Sequence, residues 1–244
     1  MEWVVWALRL VLGILTAPVH LLGVLGLWAP LCQRYFPPCM RWLSARYNEE
    51  MAGTKRALFG GLPGRARTPG RLTLLELGCG SGANFAFFPA GTAVTCVDPN
   101  PGFERLVRRS LEAHPHVRGL AFLRASAERL PRVPDASVDA VVCTLVLCSV
   151  SSLGDVLREV RRVLRTGGAF YFLEHVAAEP NTWTAFWQQV LAPTWRLIFD
   201  GCDLTRETWK ALERAGFSEL QLQRIQAPVS WKIIRPHIVG FAVK

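Results

Sequence analysis

Two hydrophobic regimes divide the chain. From Leu10 to Leu31 the residues are almost all apolar and carry no formal charge apart from a proton on His20. Beyond residue 70 the pattern changes to short apolar runs separated by amphipathic stretches. Runs at Leu72–Leu77, Ala93–Asp98, Leu120–Arg124, Val138–Thr144, Ala169–His175, Ser218–Ile225 and Ile238–Val243 have strand length. Between them, Asn84–Phe88, Gly102–Ala113, Gly154–Leu164, Trp183–Phe199 and Arg206–Ala215 carry helical spacing. A break is expected at Pro193, and Thr205 is the N-cap candidate of the last helix. Alternation of strand and helix predicts an α/β fold built on a doubly wound parallel sheet.

The front of the chain is organised differently. An apolar stretch of about 20 residues suffices to cross a bilayer as a helix. Pro18 with Gly13, Gly23 and Gly26 would also allow a segment that enters one leaflet and returns. A signal peptide fits less well, because no small-x-small cleavage site follows. A buried core helix is the remaining alternative, and length with terminal position favours a membrane anchor over residues 1–31. Residues 32–70 form a basic, aromatic connector that ends in the Gly/Pro-rich stretch Gly60–Gly70. Residues 71–244 are expected to form the α/β domain. Arg34, Arg41, Arg46, Lys55 and Arg56 follow the anchor and favour the cytosolic side. Trp28, Tyr35, Phe36 and Trp42 suit a headgroup region.

Candidate chemistry centres on Leu74–Gly82, Leu-Leu-Glu-Leu-Gly-Cys-Gly-Ser-Gly. A strand-type run enters three alternating glycines, which lets the backbone turn sharply and approach a ligand. The same glycines, with Ala83 and with Asp98 placed 20 residues after Gly78, satisfy a dinucleotide fingerprint. The glycines therefore leave NAD and S-adenosylmethionine both open. Glu76 separates them: a carboxylate beside the loop repels a pyrophosphate and attracts the ammonium of S-adenosylmethionine. Asp98, acceptor-only when ionised, suits both ribose hydroxyls.

Further segments extend the picture. Ala125-Ser-Ala-Glu-Arg-Leu-Pro131 follows a strand end, and Arg165-Thr-Gly-Gly168 turns into the strand Ala169–Leu173. Leu74–Gly82, Val97-Asp-Pro-Asn100, Ala127–Pro131 and Arg162–Gly168 resemble class I S-adenosylmethionine-dependent methyltransferases. Cys143–Val150, Glu174-His-Val176, Asp200-Gly-Cys202 and Leu204–Lys210 are similar to a narrower family, the membrane-associated methyltransferase-like alkyl thiol S-methyltransferases. That resemblance covers essentially the whole chain. It implies a Rossmann-like seven-stranded sheet whose last strand is antiparallel. It also implies a small lipophilic thiol as acceptor, and residence at the endoplasmic reticulum membrane and lipid droplet with the catalytic domain facing the cytosol. With the rule that ligands sit at the carboxyl ends of the strands, it assigns Glu76, Gly78, Cys79, Gly80, Gly82, Asn84, Asp98, Pro99, Asn100, Ser126, Ala127, Glu128, Thr144 and Leu145 to the cofactor.

The acceptor is expected beside Leu147, Cys148, His175 and the segment Trp183–Cys202, whose Trp183, Phe186, Trp187, Trp195 and Phe199 suit a lipophilic molecule or a core. A thiol of pKa near 8.5 is roughly a few per cent ionised at neutral pH, so one weak base suffices. His175 is the first candidate for it and Asp200 the second, while Cys148 reads as a buried structural thiol. A lipid, phenol or quinone acceptor is an alternative, as is a lipid-droplet protein that retains the fold without turnover. The net charge of +9 suits anionic membrane surfaces, and the basic residues form no dense block of the kind that binds nucleic acid. Seven cysteines include no Cys-x-x-Cys and no Cys/His cluster of zinc spacing, so reduced thiols and no metal are expected.

Overall fold

The computed structural model describes residues 2–244, and Met1 lies outside them. The predicted strands are present as β1 (Thr73–Leu77), β2 (Thr92–Val97), β3 (Val117–Leu123), β4 (Val138–Thr144), β5 (Leu164–His175), β6 (Glu219–Gln226) and β7 (Pro236–Val243). They form one sheet in the order β3-β2-β1-β4-β5-β7-β6, parallel except for β7, which runs antiparallel to both β5 and β6. Strand order reverses between β1 and β4, so the loops after these strands splay apart and leave a crevice. Central strands are buried on both faces, and β4 is buried throughout except at Thr144. Edge strand β6 instead alternates exposed and half-buried positions, as one covered face requires. The register between β4 and β5 skips from Val138–Leu164 to Ala140–Ala169, and the skipped residues Arg165–Gly168, expected as a turn before the strand, instead lie within β5 as a bulge with Gly167 at φ +74°.

Among the described residues seven α-helices accompany the sheet: α1 (Glu2–Leu15), α2 (Ala17–Val24), α3 (Trp28–Phe59), α4 (Glu104–Ala113), α5 (Leu153–Val163), α6 (Trp183–Ile198) and α7 (Thr208–Arg214). Three local expectations are corrected. Asn84–Phe88 is only a 3-10 turn at Phe85–Phe87. Thr205 is not an N-cap: its N–H and hydroxyl both donate to Asp203 Oδ1, and the helix begins at Thr208. Helix α6 passes through Pro193 unbroken.

The reason α6 survives its proline is visible. Proline cannot donate to the carbonyl four residues back, here Gln189, and an unmet carbonyl is costly. Arg9 Nε of α1 donates to that oxygen at 2.8 Å. Helix α3 solves the same problem at Pro37, whose missing N–H frees the Gln33 carbonyl. Asn100 Nδ2 donates to it at 3.0 Å.

Helix α3 also crosses the boundary placed at residue 31 and runs through most of the segment read as a connector. Its buried residues Tyr47, Met51, Lys55 and Phe59 pack into the domain. Helices α1 and α2 meet at an angle of 79°. Among the described residues no single helix is long and apolar enough to cross a membrane, although this bent pair is so together, by length and composition. The pair leaves Trp3, Trp6, Ile14, Leu15 and Val24 exposed.

Candidate active site

The crevice at the strand-order reversal holds a cavity of about 350 Å³. Its floor is the glycine loop after β1. Gly78, Gly80 and Gly82 have φ of +56°, +51° and +72°, a region costly for residues with a Cβ. A Cβ on Gly78 would overlap Val146, and one on Gly82 would press on Phe85 and Ser110. Gly78, Cys79 and Gly80 line the cavity, whereas Gly82 serves the packing behind it. Asp98 lies at the end of β2 and accepts from Gly80 N–H at 3.1 Å and Asn100 N–H at 2.9 Å. These bonds clamp its carboxylate to the loop and leave lone pairs for a ligand. Burial nonetheless raises its pKa to about 6.

Most predicted cofactor residues converge here. Cys79, Asn84, Asp98, Pro99, Ser126, Ala127, Glu128, Thr144 and Leu145 all line the cavity. Leu145 adopts φ +57°, uncommon for a bulky residue, directly after β4. Besides Gly82, two predicted residues do not line it. Asn100 is spent on the Gln33 carbonyl and on Gly102 N–H. Glu76 lies behind the wall, where its Oε1 accepts from Asn84 Nδ2 at 2.7 Å. Asn84 Nδ2 also donates to Thr144 Oγ1 at 2.9 Å.

The roof was not legible in the sequence. Phe36, Met40, Ser44, Tyr47 and Lys55 of α3 close the cavity from above. Lys55, read as part of a basic flank, is instead 2% exposed and donates to Asn84 Oδ1 at 2.7 Å and to Asn48 Oδ1. Asn84 thus bridges a buried ammonium and a buried carboxylate. Burial lowers Lys55 to about 7 and raises Glu76 to about 7, each against the attraction of the other. Ser44 and Asn48 tie the helix to the loop through Ser81 Oγ and the Ala83 carbonyl.

A second cavity of about 140 Å³ adjoins the first and shares Phe36, Met40, Ser44, Tyr47, Leu145 and Ser149 with it. Leu43, Trp195, Phe199, Val229, Trp231 and Ile234 make it largely apolar. Of the residues expected beside the acceptor, Cys148, His175, Trp195, Phe199 and Cys202 line it. Leu147 is in the core instead, and Trp183 and Trp187 are on the outside. His175 is buried, with Nε2 at 3.1 Å from Cys202 Sγ and Nδ1 unpartnered. Asp200, at φ +47°, lines the first cavity and not the second, so the two candidate bases face different chambers.

Geometry distinguishes the two rival cofactors. A dinucleotide site places a pyrophosphate on the N-terminus of the helix that follows the glycines. Here a 3-10 turn follows, so that positive helix end is missing. Lys55 is the single basic side chain among the lining residues, against the acids Asp98, Glu128 and Asp200. The second carboxylate oxygen of Glu76 is buried without a partner. An acidic lining fits a cationic, phosphate-free nucleoside such as S-adenosylmethionine.

Comparison with known proteins agrees. The methyltransferase domain family matches residues 75–172. Human thiol S-methyltransferase TMT1A is 57% identical and human thiol S-methyltransferase TMT1B 50% identical, each over 100% of both chains. Among solved structures, a SAM-dependent methyltransferase from Aquifex aeolicus has TM-score 0.54 at 15% identity, covering 84% of this chain and 97% of that one. Geranyl diphosphate methyltransferase in complex with SAM has TM-score 0.56 at 17% identity, covering 78% and 84%. These two show the fold, and the full-length relatives show the family. The chain is a methyltransferase and belongs to the thiol S-methyltransferase family.

Proposed function

We propose that the chain transfers a methyl group from S-adenosylmethionine to small lipophilic alkyl thiols at a membrane surface. The observation that carries this reading is the pair of adjoining cavities, one polar and glycine-floored, the other apolar, sharing Tyr47, Leu145 and Ser149. Lys55 matches the carboxylate of the cofactor's amino-acid end, Glu76 acting through Asn84 matches its ammonium, and Asp98 matches the ribose hydroxyls. S-adenosylmethionine supplies a methyl already activated by a sulfonium. The protein then has to hold the acceptor sulfur in line and exclude water. Alignment of that kind contributes on the order of 7–11 kcal/mol at best. The apolar second chamber is built for both tasks, and a thiol needs no strong base there.

The test is transfer of radiolabelled methyl to a panel of alkyl thiols, phenols and lipids. Thiols are expected to be the preferred acceptors. Preference for a phenol or quinone would favour the alternative enzyme reading, and no transfer at all would favour a non-catalytic surface protein.

The membrane part of the proposal rests on α1 and α2. Trp3, Trp6 and Ile14 are 85%, 62% and 65% exposed, an apolar face that suits the headgroup and acyl boundary. The 79° bend favours a pair lying within one leaflet. The endoplasmic reticulum and lipid droplet follow from the family resemblance, with the domain on the cytosolic side where the methyl donor is found. Replacing Trp3, Trp6 and Ile14 by Glu should release the chain from phospholipid vesicles. Unchanged cosedimentation would refute this assignment.

A further inference from the structure

Sequence spacing gave no sign of a metal centre, yet three elements bring soft ligands together. Cys148 follows β4, His175 ends β5 and Cys202 follows α6. One potential ligand atom from each lies within 4.8 Å of the other two. The cysteines are each 27 residues from the histidine, which no short motif would reveal. A tetrahedral zinc ion with Zn–S of about 2.3 Å and Zn–N of about 2.0–2.1 Å needs S···S near 3.8 Å and S···N near 3.6 Å. The observed cluster matches this scale, with the 3.1 Å contact of His175 Nε2 to Cys202 Sγ opening by a few tenths of an ångström.

As a hydrogen-bonded network the cluster is poor. His175 Nε2 meets only sulfur, a weak partner, and Nδ1 is buried with no partner. As a ligand set it is good: two thiolates and an imidazole select zinc among the common cations. Trp195 Nε1–H donates to Cys202 Sγ at 3.2 Å, the kind of contact that orients a metal-bound thiolate. All three residues line the apolar second cavity. Three protein ligands facing an open chamber define a centre with a vacant fourth position, as in catalytic rather than structural zinc sites.

We propose that Cys148, His175 and Cys202 bind zinc and that the acceptor thiol takes the fourth position as a thiolate. This inference rests on the thiol reading of the second cavity. On ligation the S–H bond breaks and the proton leaves to solvent. A sulfur lone pair then forms the new S–CH₃ bond as the sulfonium S–CH₃ bond breaks, its electron pair staying on the demethylated cofactor. The neutral thioether product is a weaker ligand and leaves. The ion does for the thiol what a base of matched pKa would otherwise have to do.

The experiment uses the full chain in detergent micelles, with zinc content by mass spectrometry and cobalt(II) as the spectroscopic probe. One zinc per chain is expected. The cobalt form should show tetrahedral d–d bands with thiolate-to-metal charge transfer, and hexanethiol should increase that charge transfer. Cys148→Ser and Cys202→Ser should lose the signal, while Cys39→Ser, at an exposed cysteine, should keep it. Metal removal should lower thiol methylation roughly tenfold or more at pH 7 and restore a rate that rises toward pH 8.5, the range of a free thiol. Wild-type protein that is folded by circular dichroism but binds no cobalt overturns the proposal. Full thiol methylation by metal-free protein overturns it too, and leaves the thiol reading intact. A cobalt signature with no response to hexanethiol, together with methyl transfer to phenols alone, overturns the thiol reading and with it the proposed activation step.

Discussion

Lys55→Met tests the roof of the cofactor cavity. Methionine keeps the length of the side chain and removes the amine. The ammonium is 2% exposed, and its pKa falls from 10.5 to about 7 because burial disfavours the charge. That drop corresponds to about 5 kcal/mol of preference for water over the folded site. Against it stand hydrogen bonds to Asn84 and Asn48, whose loss leaves two carbonyl acceptors unmet at about 1–3 kcal/mol each. The two terms oppose each other, so Lys55→Met should change stability by no more than about 3 kcal/mol at neutral pH. The slope with pH is more telling. Between about 7 and 10.5 the unfolded chain holds the extra proton, so this lysine makes the wild type more stable as pH rises, by about 1.4 kcal/mol per unit. The variant should lack that contribution in urea denaturation at pH 7.5 to 9.5. Its affinity for S-adenosylhomocysteine should fall roughly 10- to 100-fold, the worth of a charge-assisted bond to the amino-acid carboxylate. Parallel pH slopes, or an unchanged dissociation constant by calorimetry, would refute the role assigned to Lys55.

Other outcomes follow from the same geometry. Gly78→Ala forces a Cβ into Val146 at φ +56° and should cost about 2–4 kcal/mol in thermal denaturation and abolish detectable cofactor binding. Asn100→Ala should destabilise the fold by about 1–3 kcal/mol, since the Gln33 carbonyl loses its donor, with little change in cofactor affinity because Asn100 does not line the cavity. Cofactor affinity should weaken as pH falls below about 6, roughly tenfold per unit, because burial raises Asp98 to about 6 and its ionised form is needed for the ribose, whereas protonation of Glu76 near 7 is offset by protonation of Lys55, lowered to about 7. The contribution of these two acids to stability runs the other way. Raised folded pKa values mean that it is full below the unfolded values of 3.8 and 4.5 and is lost as pH rises through about 6 and 7, so pH-dependent calorimetry and denaturation together check the sign.

The sheet was legible because its signal is local. Each central strand is a short apolar run, and the glycine loop with Asp98 marks where the first two strands end. Arg165–Gly168 was read as a turn because its glycines interrupt an apolar run, but β5 runs on through it from Leu164 and only its register with β4 shifts. Helix α3 was not legible. Its apolar positions face a cavity, and its arginines and prolines resemble a loop. Pro37 and Pro193 look like helix breakers because sequence alone does not show Asn100 and Arg9 arriving to satisfy the freed carbonyls. Lys55 was hidden by type, since a lysine after an apolar segment reads as a surface charge until Asn84 and Asn48 are found around it. Cys148, His175 and Cys202 were hidden by distance along the chain. Glu76 was read as a cofactor contact, whereas it lies behind the cavity wall and bonds Asn84, which does line it.

The central claim is that this crevice recognises a cationic methyl donor and rejects a phosphate-bearing redox carrier. Titration calorimetry of the purified chain with S-adenosylmethionine and with NADH tests it directly. One S-adenosylmethionine should bind per chain, Asp98→Ala should abolish that binding without unfolding the protein, and NADH should give no heat. Saturable NADH binding that S-adenosylmethionine does not displace would contradict the account.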